Sequence, residues 1–313
     1  MLAFVFFLNS NDIIMSKFNY IIGIILLIGI LGGAKVIAGT SEKTISNVPY
    51  ATVSPAQVMD IYLPEGEGPF PVVVLIHGGA FKMGDKGMET LNAEALVAKG
   101  YAAASINYRL SGEAIYPAQI EDCKAAVRFL RANATKYHLN PDKIGSWGAS
   151  AGGNLSAMLG TSSGVAELEG ASLGNAGVSS KVIAAVDWFG PINFCTMDAE
   201  ATAVGFTGRT NGEYSPESQL IGKAVQSAPE LVAKVNPTTY ITADDAAFFI
   251  QVGSKDRNIP YTQSRNFYEA VKKILGNEKV SFELLEGAGH GGPQFFDPSN
   301  VAKVIAFFEK HLK

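Results

Sequence analysis

Short apolar runs alternate with segments of helical spacing along most of the chain. The run Val72–Ile76 (VVVLI) is continuous, which is typical of a strand buried on both faces of a parallel sheet. Further strands are predicted at Tyr101–Tyr108, Lys143–Trp147, Val182–Trp188, Ala247–Val252 and Lys279–Glu286. Because helical patterns separate several of these runs, the predicted fold class is α/β, with a mostly parallel central sheet and helices on both faces.

The helical segments are marked by their spacing and by their ends. After Pro117, the residues Ile120, Cys123, Val127 and Leu130 recur on one helical face. Two more helices are predicted at Tyr261–Leu275, where Gly276 follows, and at Ser299–Leu312. Residues 193–245 interrupt the alternation, so we expect a small inserted cap segment over the sheet, where a substrate pocket could form.

The amino terminus has a different pattern from the rest. Lys17 precedes the apolar run Tyr20–Gly33, and small residues follow near Ala38. This is the order of a secretory signal peptide, and the run is short for a membrane-spanning helix. We therefore predict a signal peptide over residues 1–38 (with Met15 as an alternative start), a linker over 39–47 and a catalytic domain over 48–313. The mature chain is expected to be secreted or periplasmic, with an uncleaved anchor as the alternative.

Composition narrows the classes of function. The 313 residues carry a formal net charge of −4 and no cluster of lysine and arginine, which disfavours a nucleic-acid partner. The two cysteines, Cys123 and Cys195, do not make a disulfide framework, and whether they pair is left open. Histidines with metal-ligand spacing are missing from the sequence, so neither a metal nor another cofactor is expected.

Two segments match the G-x-S-x-G pattern that presents a nucleophilic serine between a strand and a helix. GASAG at 148–152 follows a predicted strand and precedes a helix-forming run. GASLG at 170–174 lies between glycine- and serine-rich stretches, with no β-branched run before it. We therefore predict Ser150 as the nucleophile and interpret the segment around Ser172 as a flexible loop.

A nucleophilic serine needs a base and an orienting acid. Of the four histidines, His290 lies in GAGHGG after a predicted strand, where the glycines allow a loop to carry the ring over the sheet. Asp256 follows the strand Ala247–Val252 on a loop and is preferred as the acid over Asp187, which lies inside its own strand. The order Ser150, Asp256, His290 is that of α/β-hydrolases.

The predicted oxyanion-binding segment is HGGAF at 77–81, directly after the first buried strand. The backbone N–H groups of Gly79 and Ala80 are the first candidates to bind an oxyanion, with Gly78 and Ala151 as further donors. His77 is expected to brace this loop. The sequence also favours Phe189, which directly follows a strand, as a substrate-pocket residue.

With these motifs in place, the chain resembles the α/β-hydrolase esterases, and within them the HGGG-type carboxylesterases related to hormone-sensitive lipase. The segments DIYLP at 60–64, INYRL at 106–110 and VDWFGP at 186–191 are similar to the secreted feruloyl and acetylxylan esterases. Ala80 stands where many relatives have a third glycine. The resemblance implies hydrolysis of a small-molecule or oligosaccharide ester through an acyl-enzyme. An amide-cleaving hydrolase and a non-catalytic binding protein remain alternatives.

Overall fold

A computed structural model describes residues 43–313, which contain one eight-stranded sheet. Its strands follow the order β1-β2-β4-β3-β5-β6-β7-β8. In chain order these are β1 (Lys43–Pro49), β2 (Val58–Leu63), β3 (Phe70–Ile76), β4 (Ala102–Ile106), β5 (Leu139–Ala149), β6 (Ala184–Trp188), β7 (Ala247–Gly253) and β8 (Val280–Leu285).

The sheet is parallel from β4 to β8 and antiparallel at the other edge, where β1 pairs with β2 and β2 pairs with β4. The predicted mostly parallel sheet is therefore confirmed. In β3, Val72, Val74 and Ile76 join the apolar cluster on one face, whereas Val73 and Leu75 join the cluster on the other. This explains the unbroken apolar run, since both faces of a central parallel strand are covered.

Helices cover both faces. In chain order they are α1 (Thr90–Val97), α2 (Ala118–Ala132), α3 (Ala151–Thr161), α4 (Met197–Ala203), α5 (Pro216–Ile221), α6 (Pro229–Val235), α7 (Tyr261–Leu275), α8 (Pro293–Phe296) and α9 (Pro298–Leu312). Side chains of α2, α3 and α7 belong to the first apolar cluster, and those of α1 and α9 to the second. The helices predicted at 261–275 and 299–312 are confirmed, the second with one more residue at its start.

The expected inserted segment over 193–245 contains no β-strand in the structure. It is built from α4, α5 and α6, together with 3-10 helices at Val225–Ser227 and Pro237–Tyr240. Within residues 43–313, no helix combines the length and the apolar character needed to cross a membrane. The predicted signal peptide over 1–38 lies outside the described residues.

The predicted linker over 39–47 is wrong for its described part, because residues 43–47 form most of β1. The strand pairs with β2 along most of its length, and Val48 is buried in the apolar core. Its outward positions are polar, as expected for an edge strand with one solvated face. That polarity gave residues 43–47 the composition of a linker.

Candidate active site

The nucleophile candidate Ser150 lies in a sharp turn between β5 and α3. Its backbone has φ 57° and ψ −120°, a conformation that is costly for a residue with a side chain. A methyl group on Gly148 would overlap with the backbone of Gly152, and one on Gly152 would overlap with the carbonyl oxygen of Ile76. The two glycines therefore permit strand, turn and helix to pass close together with the half-buried serine between them.

The structure brings the three predicted side chains into one hydrogen-bonded chain. The Nε2 atom of His290 lies 2.9 Å from Oγ of Ser150, and its Nδ1 atom lies 2.7 Å from Oδ2 of Asp256. The other carboxylate oxygen of Asp256 accepts hydrogen bonds from the backbone N–H groups of Asn258 (2.8 Å) and Ile259 (2.9 Å). These bonds fix the carboxylate toward the imidazole, which is the orientation that a general base requires.

The segment that carries Gly78, Gly79 and Ala80 passes beside this serine. A Cβ atom on Gly78 would lie 3.4 Å from that of Ser150. Gly79, Ala80 and Phe81 all have positive φ (113°, 54° and 60°), so the chain turns sharply here and even the two non-glycine residues adopt left-handed geometry. Ala80 and Ala151 line the same cavity as the serine hydroxyl.

His77 braces this loop, as the sequence predicts. Its Nδ1–H donates to the carbonyl oxygen of Gly78 (2.6 Å), and its ring stacks on Tyr108 with centroids 4.4 Å apart. The hydroxyl of Tyr108 donates in turn to the carbonyl oxygen of His77 (3.0 Å). Burial lowers the pKa of His77, which favours its neutral form.

The rival acid Asp187 does not bond to His290; its Oδ1 accepts the backbone N–H of Gly190 at 2.8 Å. Burial raises the pKa of this carboxyl to about 7. The same turn holds Phe189 at φ 45°, and its ring packs edge-on against His290 with centroids 4.7 Å apart. Asp187 is thus connected to the histidine through the backbone turn that positions Phe189.

Two cavities meet at the nucleophile. The larger, of about 660 Å³, extends toward the inserted segment and includes Phe206, Arg209 and Glu217. The smaller, of about 380 Å³, is lined by apolar side chains and by two glycines of the predicted oxyanion segment. Four residues line both cavities: Ala80, Ser150, Asn258 and His290. The hydroxyl oxygen of Ser150 is therefore accessible to a ligand that extends in two directions.

The second G-x-S-x-G match lines neither cavity, and the segment predicted as a flexible loop contains one short 3-10 turn. Ser172 is exposed within a 3-10 helix, Ala171–Leu173. The buried guanidinium of Arg128 donates to the carbonyl oxygens of Glu169, Gly170 and Gly174. Gly170 and Gly174 thus belong to a turn whose carbonyl oxygens accept hydrogen bonds from the buried guanidinium.

Several residues that line the cavities carry no sequence motif. Glu89 and Asn92 lie in the smaller cavity, and Arg257 and Asn258 lie beside the acid candidate. Only Arg257 and Asn258, which directly follow Asp256 in the chain, have positions that could have indicated their place. Among the described residues, no group of three or more histidine, cysteine or acidic side chains could hold a metal ion, and both cysteines are free.

Comparison with known proteins adds independent observations. Residues 59–271, more than half of the chain, match the family model BD-FAE. Esterase LipC of Mycobacterium tuberculosis is 28% identical over 242 residues, which are 76% of this chain and 57% of LipC. The chain spans about half the length of the curated relatives it matches.

Two solved structures share both fold and sequence. A truncated carbohydrate esterase from gut microbiota has a TM-score of 0.80 and 35% identity, and the match covers 90% of this chain and 100% of that one. A bifunctional GH43-CE protein of Bacteroides eggerthii has a TM-score of 0.78 and 36% identity over 86% of this chain and 35% of its own. These matches confirm the predicted α/β-hydrolase fold, and the chain belongs to the BD-FAE family.

Proposed function

We propose that this protein hydrolyses carboxylic esters with Ser150, His290 and Asp256 as a catalytic triad. The observation that carries the proposal is the continuous hydrogen-bonded chain from Oγ of Ser150 through the imidazole to a carboxylate, at the meeting point of two cavities. The names of the relatives, which include esterases and a carbohydrate esterase, support the same activity.

Each step of acyl transfer is assigned to a group of the proposed site. His290 accepts the proton of Ser150 through Nε2 as the serine oxygen attacks the ester carbonyl. The N–H groups of Gly79, Ala80 and Ala151, with Gly78 as a further donor, stabilise the oxyanion. His290 then protonates the leaving alcohol, and water attacks the acyl-enzyme by the same route. Asp256 fixes the tautomer of His290 and stabilises its charged form.

The proposed substrates are acetylated or feruloylated fragments of plant polysaccharides, or small acyl esters, met outside the cell after export. Two of the similar structures are named as a carbohydrate esterase and a GH43-CE protein, which supports a carbohydrate ester. A measurement of acetate and ferulate released from xylan fragments distinguishes the two acyl groups. Release of neither, with turnover of small esters, would restrict the proposal to small acyl esters.

A matched pair of serine variants tests the triad. Ser150→Ala is expected to lower kcat/KM for p-nitrophenyl acetate by at least about 1,000-fold, because the nucleophile is lost while the fold is kept. Ser172→Ala, in the other G-x-S-x-G segment, is expected to retain wild-type activity. Undiminished hydrolysis by Ser150→Ala would contradict the triad. Oligosaccharide binding by a wild-type protein that hydrolyses no ester would support a binding protein.

Esters and amides are compared with the wild-type protein. A series of p-nitrophenyl acyl esters is assayed beside an aminoacyl p-nitroanilide at the same concentration. We expect ester turnover to exceed amide turnover. The opposite order would assign the triad to amide cleavage, since fold and triad alone do not separate the two reactions.

A further inference from the structure

The two cavities on either side of Ser150 differ in chemistry. An ester carbonyl carries its acyl group and its alcohol on different sides, so a serine between two cavities can direct one group into each. The large side chains that line the smaller cavity are mostly apolar (Met83, Met88, Trp188, Phe189 and Phe296). Glu89 and Asn92 also line it and are hydrogen-bonded to each other. The apolar side chains suit an acyl group.

Two arginines from separate segments line the larger cavity. Arg209 belongs to the inserted segment, and Arg257 follows the acid candidate directly. The Nη1 atom of Arg257 donates to the carbonyl oxygen of Gly205 (3.0 Å), and its guanidinium stands 5.6 Å from the centre of the Phe206 ring. Neither arginine forms an ion pair with a carboxylate of the described chain.

Two carboxylates next to these arginines in sequence or in the fold, Asp198 and Asp256, are engaged with other groups. Asp198 accepts the backbone N–H groups of Thr210 (2.8 Å) and Asn211 (3.0 Å), directly after Arg209. Asp256 accepts hydrogen bonds from Nδ1–H of His290 and from the backbone N–H groups of the two residues that follow Arg257. These bonds hold the two loops in place and leave the guanidinium groups without a negative partner.

Among the described residues, Glu217 is the only carboxylate that lines the larger cavity. Its side chain is buried, and this burial raises the pKa of the carboxyl, which disfavours its charged form. The exposed positive charges of the cavity are therefore not balanced by an equally exposed negative charge. A planar guanidinium with several N–H donors matches the geometry of a carboxylate.

We infer that the larger cavity binds the alcohol part of the ester and that Arg209 and Arg257 bind a carboxylate on it. The preferred substrate is then an ester of an acidic oligosaccharide, one that carries a uronic acid near the acylated sugar. This inference rests on the proposed ester hydrolysis. It adds that the alcohol part of the ester carries a negative charge. The two arginines determine specificity and take no part in bond making.

The test compares two acetylated xylo-oligosaccharides that differ by one glucuronic acid substituent. For the wild-type protein, kcat/KM for the acidic substrate is expected to exceed that for the neutral one by about tenfold, within the range for exposed charge-assisted hydrogen bonds. Arg209→Gln and Arg257→Gln should each lower this ratio about threefold. Arg209→Lys should restore part of it, because the charge remains. The ratio should also fall as sodium chloride is added.

Arg265→Gln is the matched control. Arg265 is an exposed arginine of α7 that stacks on Tyr261 at 4.8 Å and does not line the cavity, so its replacement should leave the ratio unchanged. Equal turnover of both oligosaccharides by the wild-type protein, or an equal loss of preference in Arg265→Gln, would overturn the inference alone. Failure of the wild-type protein to hydrolyse p-nitrophenyl acetate or either oligosaccharide would instead overturn the proposed function.

Discussion

Glu89 is an acidic residue buried at the edge of the smaller cavity, with only 6% of its surface exposed. Its Oε2 atom accepts a hydrogen bond from Nδ2 of Asn92 at 2.7 Å. Burial raises the pKa of the carboxyl to about 7, and the bond to Asn92 opposes this rise only in part. A buried carboxyl with such a pKa is protonated at mildly acidic pH, so the cavity changes its charge near neutrality.

This pKa makes stability depend on pH in a defined direction. Between pH 4.5 and 7 the unfolded chain releases the proton of Glu89 while the folded chain keeps it, so the free energy of unfolding falls as pH rises. Between pH 4.5 and 8, the free energy of unfolding of Glu89→Gln is expected to rise by up to about 3 kcal/mol relative to that of wild type. Urea unfolding at several pH values measures this difference.

The control for this experiment is Glu94→Gln, an exposed glutamate of α1. Its replacement should leave the pH dependence of the unfolding free energy close to that of wild type. A constant difference between Glu89→Gln and wild type over the whole range would show that Glu89 has the same pKa in the folded and unfolded chains.

At the scale of single residues, the sequence identifies a functional side chain when its neighbours are residues that a turn or the end of a strand requires. Ser150 and His290 lie among glycines that a turn requires, and Asp256 follows a strand on a short loop. Glu89 and Arg209 have no such surroundings. The importance of Glu89 comes from its burial, and that of Arg209 from the cavity it lines together with Arg257. Both depend on segments distant in the chain.

The crossing of β3 with the turn from β5 into α3 is the tightest contact between elements at the site. Gly152→Ala is expected to lower the melting temperature and abolish ester hydrolysis, because its methyl group would overlap with the carbonyl oxygen of Ile76. Overpacking of this kind costs about 1–3 kcal/mol or more. Thermal unfolding and turnover of p-nitrophenyl acetate measure both effects.

Gly177→Ala is the matched control, since a methyl group there has open space around it. It should leave both the melting temperature and turnover near their wild-type values. A Gly152→Ala protein as stable and active as this control would contradict the close approach of β3 and the start of α3.

The types of element were predictable where the apolar pattern was continuous. Prediction failed where polar residues interrupt that pattern. In β2 the buried Asp60 breaks the apolar run, so the segment does not have the sequence pattern of a strand. The structure compensates for this charge: Nζ of Lys86 lies 2.7 Å from one carboxylate oxygen, and the backbone N–H of Asn47 donates to the other at 2.7 Å. Both partners lie outside the strand itself.

For the whole molecule, the sheet gathers residues that are distant in sequence. Ser150 and His290 are 140 positions apart, yet each follows a strand of the same parallel set. Because the carboxyl ends of parallel strands meet at one edge, the order of strands and motifs was sufficient to predict this grouping. The same rule gives no information on the antiparallel edge, where residues 43–47 of β1 have the composition of a linker.

The inclusion of β1 in the folded unit can be measured. Val48 is buried in the core, so Val48→Ala should lower the free energy of unfolding by about 2 kcal/mol through loss of two buried methyl groups. Ser46→Ala, an exposed position of the same strand, should change it by less than about 0.5 kcal/mol. Equal effects of the two variants in urea unfolding would contradict the packing of β1 on the core.

The positive φ angles around the nucleophile have a consequence beyond catalysis. Ala80, Phe81, Ser150 and Phe189 all adopt geometry that glycine would accept at lower cost, and such residues cost about 1–3 kcal/mol each. Four of the seven non-glycine residues with positive φ in residues 43–313 thus lie at the reactive centre. Improving heat resistance by replacing these residues with glycine would act directly on the groups that the reaction needs. In this protein, substitutions that raise thermal stability are better made at residues far from the cavities.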